Sequence, residues 1–117
     1  MRSRYLFLAL LAACSPVEES EFATELAVVE CRRIKTCARG EFESVYAGKM
    51  NDCVDSRGDA LDDVVETYAG ICAFDEDQAS LCVRRVDGMR CEDWAEGDGA
   101  RVCDLVYDCS DPEEPTE

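Results

Sequence analysis

Nine cysteines and no histidine define the chemistry open to this 117-residue chain. Without histidine there is no Ser–His or Cys–His nucleophile pair and no imidazole ligand for zinc. The thiols fall into two groups. Cys14 closes the run Leu11-Ala12-Ala13-Cys14. Cys31, Cys37, Cys53, Cys72, Cys82, Cys91, Cys103 and Cys109 form an even set further along. No CxxC occurs, so a thiolate zinc site is not expected. An even set of eight in an exported chain reads as four disulfides, and 105 pairings are open to it. The ninth cysteine must then serve another purpose.

Carboxylates are the other abundant reactive group, 27 Asp and Glu against 12 Lys and Arg. Asp93, Glu96, Asp98 and Asp104 cluster around Gly97 and Gly99, and hard oxygen ligands suit Ca²⁺. The spacing lacks the opening and the terminal Glu of an EF-hand, so no metal is assigned. Glu96-Gly97-Asp98-Gly99 lacks the lysine and the preceding strand of a phosphate loop. In so acidic a chain, carboxylate pairs that could act as acid and base arise by chance. The expectation is a protein without catalytic activity or cofactor.

Cys14 follows a leader with Arg2 and Arg4 at its start and a nine-residue apolar stretch, residues 5–13. Nine residues are too few to span a bilayer, which takes about 20, and fit the apolar core of a signal peptide. Leu11-Ala12-Ala13-Cys14 resembles the lipobox of bacterial lipoproteins. The resemblance implies diacylglycerol on the Cys14 sulfur, cleavage before Cys14 and acylation of its amine, with fatty acids of the palmitate class. Ala12-Ala13-Cys14 also satisfies the small-x-small pattern of ordinary signal peptidase, which leaves simple secretion open. Ser15 follows the lipid site, where Asp would signal inner-membrane retention, so the resemblance implies the outer membrane. Two or three acyl chains anchor a protein stably where one does so marginally. The expected organisation is a lipoprotein signal peptide (1–13), a lipidated Cys14 with a short tether (14–20), a disulfide-rich helical domain (21–109) and a disordered acidic tail (110–117). The tether would reach about 20 Å at full extension.

Removing the leader with its two arginines takes the net charge from −15 to −17 over 104 residues. That length suits one domain. Such a field repels nucleic acid and anionic lipid phosphates, which excludes a DNA or RNA partner. It keeps a tethered domain off its neighbours, and it favours cationic proteins or divalent cations.

Hydrophobic spacing predicts an all-α fold, a small disulfide-stabilised bundle of four to five short helices. A first helix over 18–39 carries Phe22, Leu26, Ile34 and Cys37 on one face. Glutamates lie at its start and Arg32, Arg33, Lys35 and Arg39 at its end, complementing the helix dipole. Gly40 is the expected stop. A second helix is read over 41–57, weakened at Gly48 and broken at Gly58. The third, 59–69, has the stripe Leu61, Val64, Val65, Tyr68 and Cys72. Arg57-Gly58-Asp59 spells an RGD tripeptide, expected in the turn into that helix with Ser56 or Asp59 as N-cap. Asp75 with Gln78 marks an N-cap for a helix that buries Ala79, Cys82, Val83 and Val86 and stops at Gly88. Residues 89–99 read as loop around Trp94, and a last short helix carries Val102, Leu105, Val106 and Cys109. Strand patterns are nearly absent. In a hairpin about Gly40, Cys31 and Cys53 lie at comparable distances from the turn and form a candidate pair. Cys31-x5-Cys37 and Cys103-x5-Cys109 share a spacing, so these two pairs are either bridged to each other or coincident.

The lipobox, Cys31-x5-Cys37, Cys72-Ala73-Phe74-Asp75 followed by Ala79-x2-Cys82, and Cys103-x5-Cys109 together resemble small cysteine-rich lipoproteins of the myxobacterial type. That resemblance implies location and fold class and no established activity. The functional expectation is a membrane-anchored, non-catalytic protein of the cell envelope that binds another envelope protein or supports its architecture. The alternative is a ligand-binding or inhibitory module, for a divalent cation or a protease. Arg32, Arg33, Lys35 and Arg39 could dock an acidic partner, though dipole compensation and internal pairing also account for them.

Overall fold

The computed structural model describes residues 16–110. The leader, Cys14 and residues 111–117 of the tail lie outside them. The chain folds as a small disulfide-rich helical bundle, with one two-stranded ribbon. No helix among the described residues is long and apolar enough to cross a membrane.

Helix α1, Glu19–Cys37, is the central element. It buries Phe22, Ala23, Leu26, Ala27, Val29, Cys31 and Ile34. Its N-cap Glu18 makes no side-chain cap, and Glu19 and Glu21 complement the first-turn dipole instead. Order begins before the helix. Val17, expected in the tether, is a core residue, and its N–H donates to Ser80 Oγ at 2.8 Å.

Glycine positions mislead at three points. α1 ends at Ala38 (φ −134°, ψ 57°), and Gly40 lies inside helix α2, Arg39–Tyr46, with open space around it. The kink falls where Phe42 and Tyr46 can fold back onto Ile34. The expected helix over 41–57 breaks at Ala47 (φ 55°) and Gly48 (φ 69°), both left-handed. The Ala47 N–H and the Gly48 N–H, the latter at 3.1 Å, both close that end on Phe42 C=O. The expected break at Gly58 does not exist, because helix α3, Met50–Tyr68, runs straight through it. Glycine costs a helix about 1 kcal/mol relative to alanine. Here α3 is fixed to α1 on both sides of Gly58, by Cys53–Cys31 and by the packing of Leu61 and Val65 on the α1 core. Tertiary contact outweighs the local preference.

Strand β1, Ala73–Phe74, leads to helix α4, Glu76–Asp87. Its N-cap is Asp75 as expected, with Oδ1 accepting from the Gln78 N–H at 3.0 Å. Residues 89–99 are not plain loop. They hold helix α5, Cys91–Ala95, and the start of helix α6, Asp98–Val102. The expected last helix is also corrected. α6 stops at Val102, Val106 turns inward and Leu105 outward, and strand β2, Tyr107–Asp108, pairs antiparallel with β1 in the register Ala73↔Asp108 and Phe74↔Tyr107. Backbone pairing and the packing of Tyr107 on Phe74 decide that segment.

Two core clusters result. One joins Phe22, Leu26 and Val29 to Ala79, Cys82, Val86 and Val106. The other joins Ile34, Phe42 and Tyr46 around Cys31 and Cys53. Trp94 packs against both. The bridges are Cys31–Cys53, Cys37–Cys91, Cys72–Cys109 and Cys82–Cys103. The first is the expected hairpin pair. The shared x5 spacings are coincidence, since no bridge joins Cys31 or Cys37 to Cys103 or Cys109.

Two glycine substitutions should move stability in opposite directions. A Cβ at Gly58 would lie 4.0 Å from Ala27 Cβ, an ordinary contact. Gly58→Ala should therefore stabilise by up to about 1 kcal/mol. Gly48→Ala must keep a left-handed backbone and should cost about 1 kcal/mol. Urea unfolding of the oxidised protein reads both.

Candidate functional site

The notable property of the surface is the way charge is divided along α1. Residues 16–30, 59–77 and 104–110 contain fourteen Asp and Glu and no Lys or Arg. The fold gathers them at one end. The Tyr107 hydroxyl donates to Glu19 Oε2 at 2.7 Å, Phe22 meets Phe74 edge to face, Tyr68 lies against Tyr107, and Cys72 is bridged to Cys109. Residues 31–58 and 78–103 hold ten Lys and Arg against nine Asp and Glu. They meet at the other end through Cys31–Cys53, Cys37–Cys91, the Arg32–Asp87 ion pair at 3.1 Å and a bond from Arg33 Nη1 to Met89 C=O at 2.8 Å. The protein thus has an acidic pole, where the described chain begins and ends, and a mixed pole that carries all its described cations.

At the acidic pole, Glu19, Asp75, Glu76, Asp77 and Asp108 line a shallow concavity of about 620 Å³. Among the described residues no cation forms an ion pair with them, and neutral donors do part of that work. Tyr107 serves Glu19, while Asp108 accepts from the Ser110 hydroxyl and, at 3.0 Å, from the Ser110 N–H. These Ser110 bonds hold the Asp108 carboxyl below its ordinary range, the hydroxyl contributing most. The Tyr107 hydroxyl is pushed well above the ordinary tyrosine value, first by burial and then by its bond to Glu19 and the Glu19 charge. Beside this lies a groove of about 360 Å³ whose apolar walls include Phe22, Leu26, Leu61, Val64 and Tyr68. The α3 stripe expected to be core is therefore half open, with Val64 and Tyr68 exposed.

At the mixed pole, Arg32, Arg33, Lys35, Thr36 and Arg39 line a second concavity of about 590 Å³, with Met50 as its apolar wall. Arg32 and Arg39 have carboxylate neighbours on the exposed surface, Asp87 and Glu43. Arg33 and Lys35 form no ion pair among the described residues. The buried Arg33 Nε has no acceptor.

Of the acidic cluster expected around Gly97, Asp93, Glu96 and Asp98 come together, with one carboxylate oxygen of each within 4.8 Å of the others. Asp104 is not part of the group. Arg90 lies 3.3 Å from Asp93 and Arg101 lies 4.0 Å from Asp98, so two of the three have an internal cation. The RGD tripeptide is not in a turn. Arg57 sits inside α3, its Nε and Nη2 on Glu30 Oε1 at 3.0 and 2.7 Å. Burial lowers the pKa of this guanidinium, but the Glu30 charge and hydrogen bond, with Tyr46, raise it further.

All eight cysteines of the even set are in bridges, and Cys14 lies outside the described residues. The division of charge has a counterpart in the sequence that helical periodicity does not reveal. The signal was present, since no Lys or Arg occurs between Arg57 and Arg84. No protein-family model, curated protein or solved structure matches this chain.

The Tyr107–Glu19 bond gives a pH test. The raised pKa means the folded state keeps its phenolic proton longer than the unfolded chain, whose value is near 10.0. The contribution is complete below that pH and is lost as pH climbs from there towards the folded value. Tyr107→Phe should cost about 1 kcal/mol at neutral pH, since the bond is only partly buried. It should also flatten the decline in urea midpoint between about pH 9 and about pH 11.

Proposed function

We propose that this is a lipid-anchored, non-catalytic protein of the cell envelope that works by binding another protein close to the membrane surface. The observation that carries the reading is the cysteine pairing. The even set is used up by four internal bridges, which leaves Cys14 with no partner among them and free for the acylation that its lipobox implies. Val17 supports the short distance. It is docked in the core three residues beyond Cys14, so the tether has almost no slack. Ser15 favours the outer membrane. Four bridges, each contributing on the order of 2–4 kcal/mol, suit a domain exposed to proteases outside the cytoplasm.

The alternative, a divalent-cation module, draws on the Asp93, Glu96 and Asp98 group. The arginines beside two of its members weigh against it.

Cys14→Ser should move the protein from the membrane pellet to the soluble fraction and abolish labelling by a fatty-acid analogue. The eight remaining cysteines should stay fully oxidised. A Cys14→Ser protein that still sediments with membranes after a high-salt wash contradicts the anchor.

A further inference from the structure

We propose that the concavity at the end of α1, lined by Arg32, Arg33, Lys35, Thr36, Arg39 and Met50, binds the carboxylates of an acidic peptide segment of a partner protein. This deepens the protein-binding reading and rests on it; the lipid anchor bears only on which way the pocket faces.

The pocket is built by a helical stripe. Arg32, Lys35 and Thr36 recur within α1 at the three- and four-residue steps that stack side chains on one helix face, about 5–6 Å apart, and Arg39 joins them from the first residue of α2. The kink at Ala38 carries the stripe into α2. Cys31–Cys53 holds the floor, since it fixes the first turn of α3, and so Met50, against α1. The bond to Met89 C=O holds Arg33. These cations are therefore presented by a braced surface, which lowers the ordering cost of capturing a ligand.

The chemistry and the setting favour carboxylates on a peptide. Guanidinium forks pair with carboxylates in two-point fashion, and Thr36 adds a neutral hydrogen-bonding group. Alternate side chains of an extended acidic segment lie about 6.6 Å apart, close to the one-turn spacing of the cations. Densely charged polyanions are disfavoured, because the chain carries a net −15 and its field repels them at long range. The membrane is disfavoured by position as well. α1 has 19 residues, about 28 Å of rise, and Cys14 precedes its other end. The pocket lies at the end of α1 remote from the residues that follow Cys14 in the sequence.

The test is fluorescence anisotropy of a labelled peptide with two glutamates separated by one neutral residue, on the full-length protein in detergent, at about 50 mM salt. Three proteins are compared: the wild type, Lys35→Glu with Arg39→Glu, and Arg84→Glu with Arg85→Glu. Arg84 and Arg85 are exposed on α4 and line no part of this pocket. Circular dichroism and a free-thiol assay confirm folding, and Lys35→Gln with Arg39→Gln replaces the reversal if that protein misfolds. The expected result is binding by the wild type, weakened at least about tenfold by the pocket changes and less than about twofold by the α4 changes. Equal losses in both doubles, or no binding by the wild type, overturn the proposal. So does binding to phosphatidylglycerol vesicles through the same residues without binding to the peptide. If the peptide fails while crosslinking in membranes still captures one stoichiometric partner that purifies with this chain, the pocket is wrong and the protein-binding reading stands.

Discussion

The rest of the structure depends on closing one end of the molecule against its own charge. The segments that build the acidic pole hold fourteen carboxylates and no lysine or arginine, and of these Glu30, at the boundary with the other pole, is paired with Arg57. Each pair at about 10 Å repels by only a few tenths of a kcal/mol in water, less with salt. Summed over that pole, the repulsion is comparable to what a small core can offset. Covalent closure answers it. Cys72–Cys109 ties the end of α3 to the last described turn, with Cα atoms 4.3 Å apart, and Cys82–Cys103 ties α4 to the chain after α6. Around the first bridge run Phe22, Phe74, Tyr107 and Tyr68, ring against ring at 5.3 to 5.7 Å. Tyr107 then turns its hydroxyl to Glu19, a neutral donor where a cation would otherwise be expected.

The other pole solves a different problem. Its acids and bases nearly balance, and ion pairs are available, such as Arg57 with Glu30 and Arg32 with Asp87. What it lacks is apolar volume. Its core cluster is Ile34, Phe42 and Tyr46 around one disulfide, with Trp94 linking it to the larger cluster. Cys31–Cys53 and Cys37–Cys91 brace it, and the same bracing fixes the basic concavity. The proposed binding surface and the stability of this pole therefore rest on the same bridges.

Much of the fold was legible in the sequence because helical periodicity is strong. The core face of α1 and the Asp75 cap follow from local spacing, and the Cys31–Cys53 pairing is the expected one although α2, not a turn at Gly40, reverses the chain between the two. Helix ends were less legible. Gly40, Gly48 and Gly58 look alike in sequence, and only Gly48 breaks a helix. The difference lies in what each faces: open space, a left-handed turn and Ala27. The segment after Val102 has helical spacing but pairs as a strand with residues 73–74, a partner some thirty positions away that periodicity cannot reveal. The basic run was visible in the sequence, but not the concavity, because Met50 comes from α3 and the Met89 carbonyl that holds Arg33 follows α4.

The division between an acidic pole and a braced mixed pole stands or falls on the bridges. Trypsin with Asp-N should place all eight bridging cysteines on separate peptides, since Arg or Asp residues separate every neighbouring pair. Mass spectrometry of the non-reduced digest should then show Cys31 joined to Cys53, Cys37 to Cys91, Cys72 to Cys109 and Cys82 to Cys103. A map in which Cys72 and Cys109 are free, or joined to other cysteines, would leave the acidic pole unclosed and contradict the account.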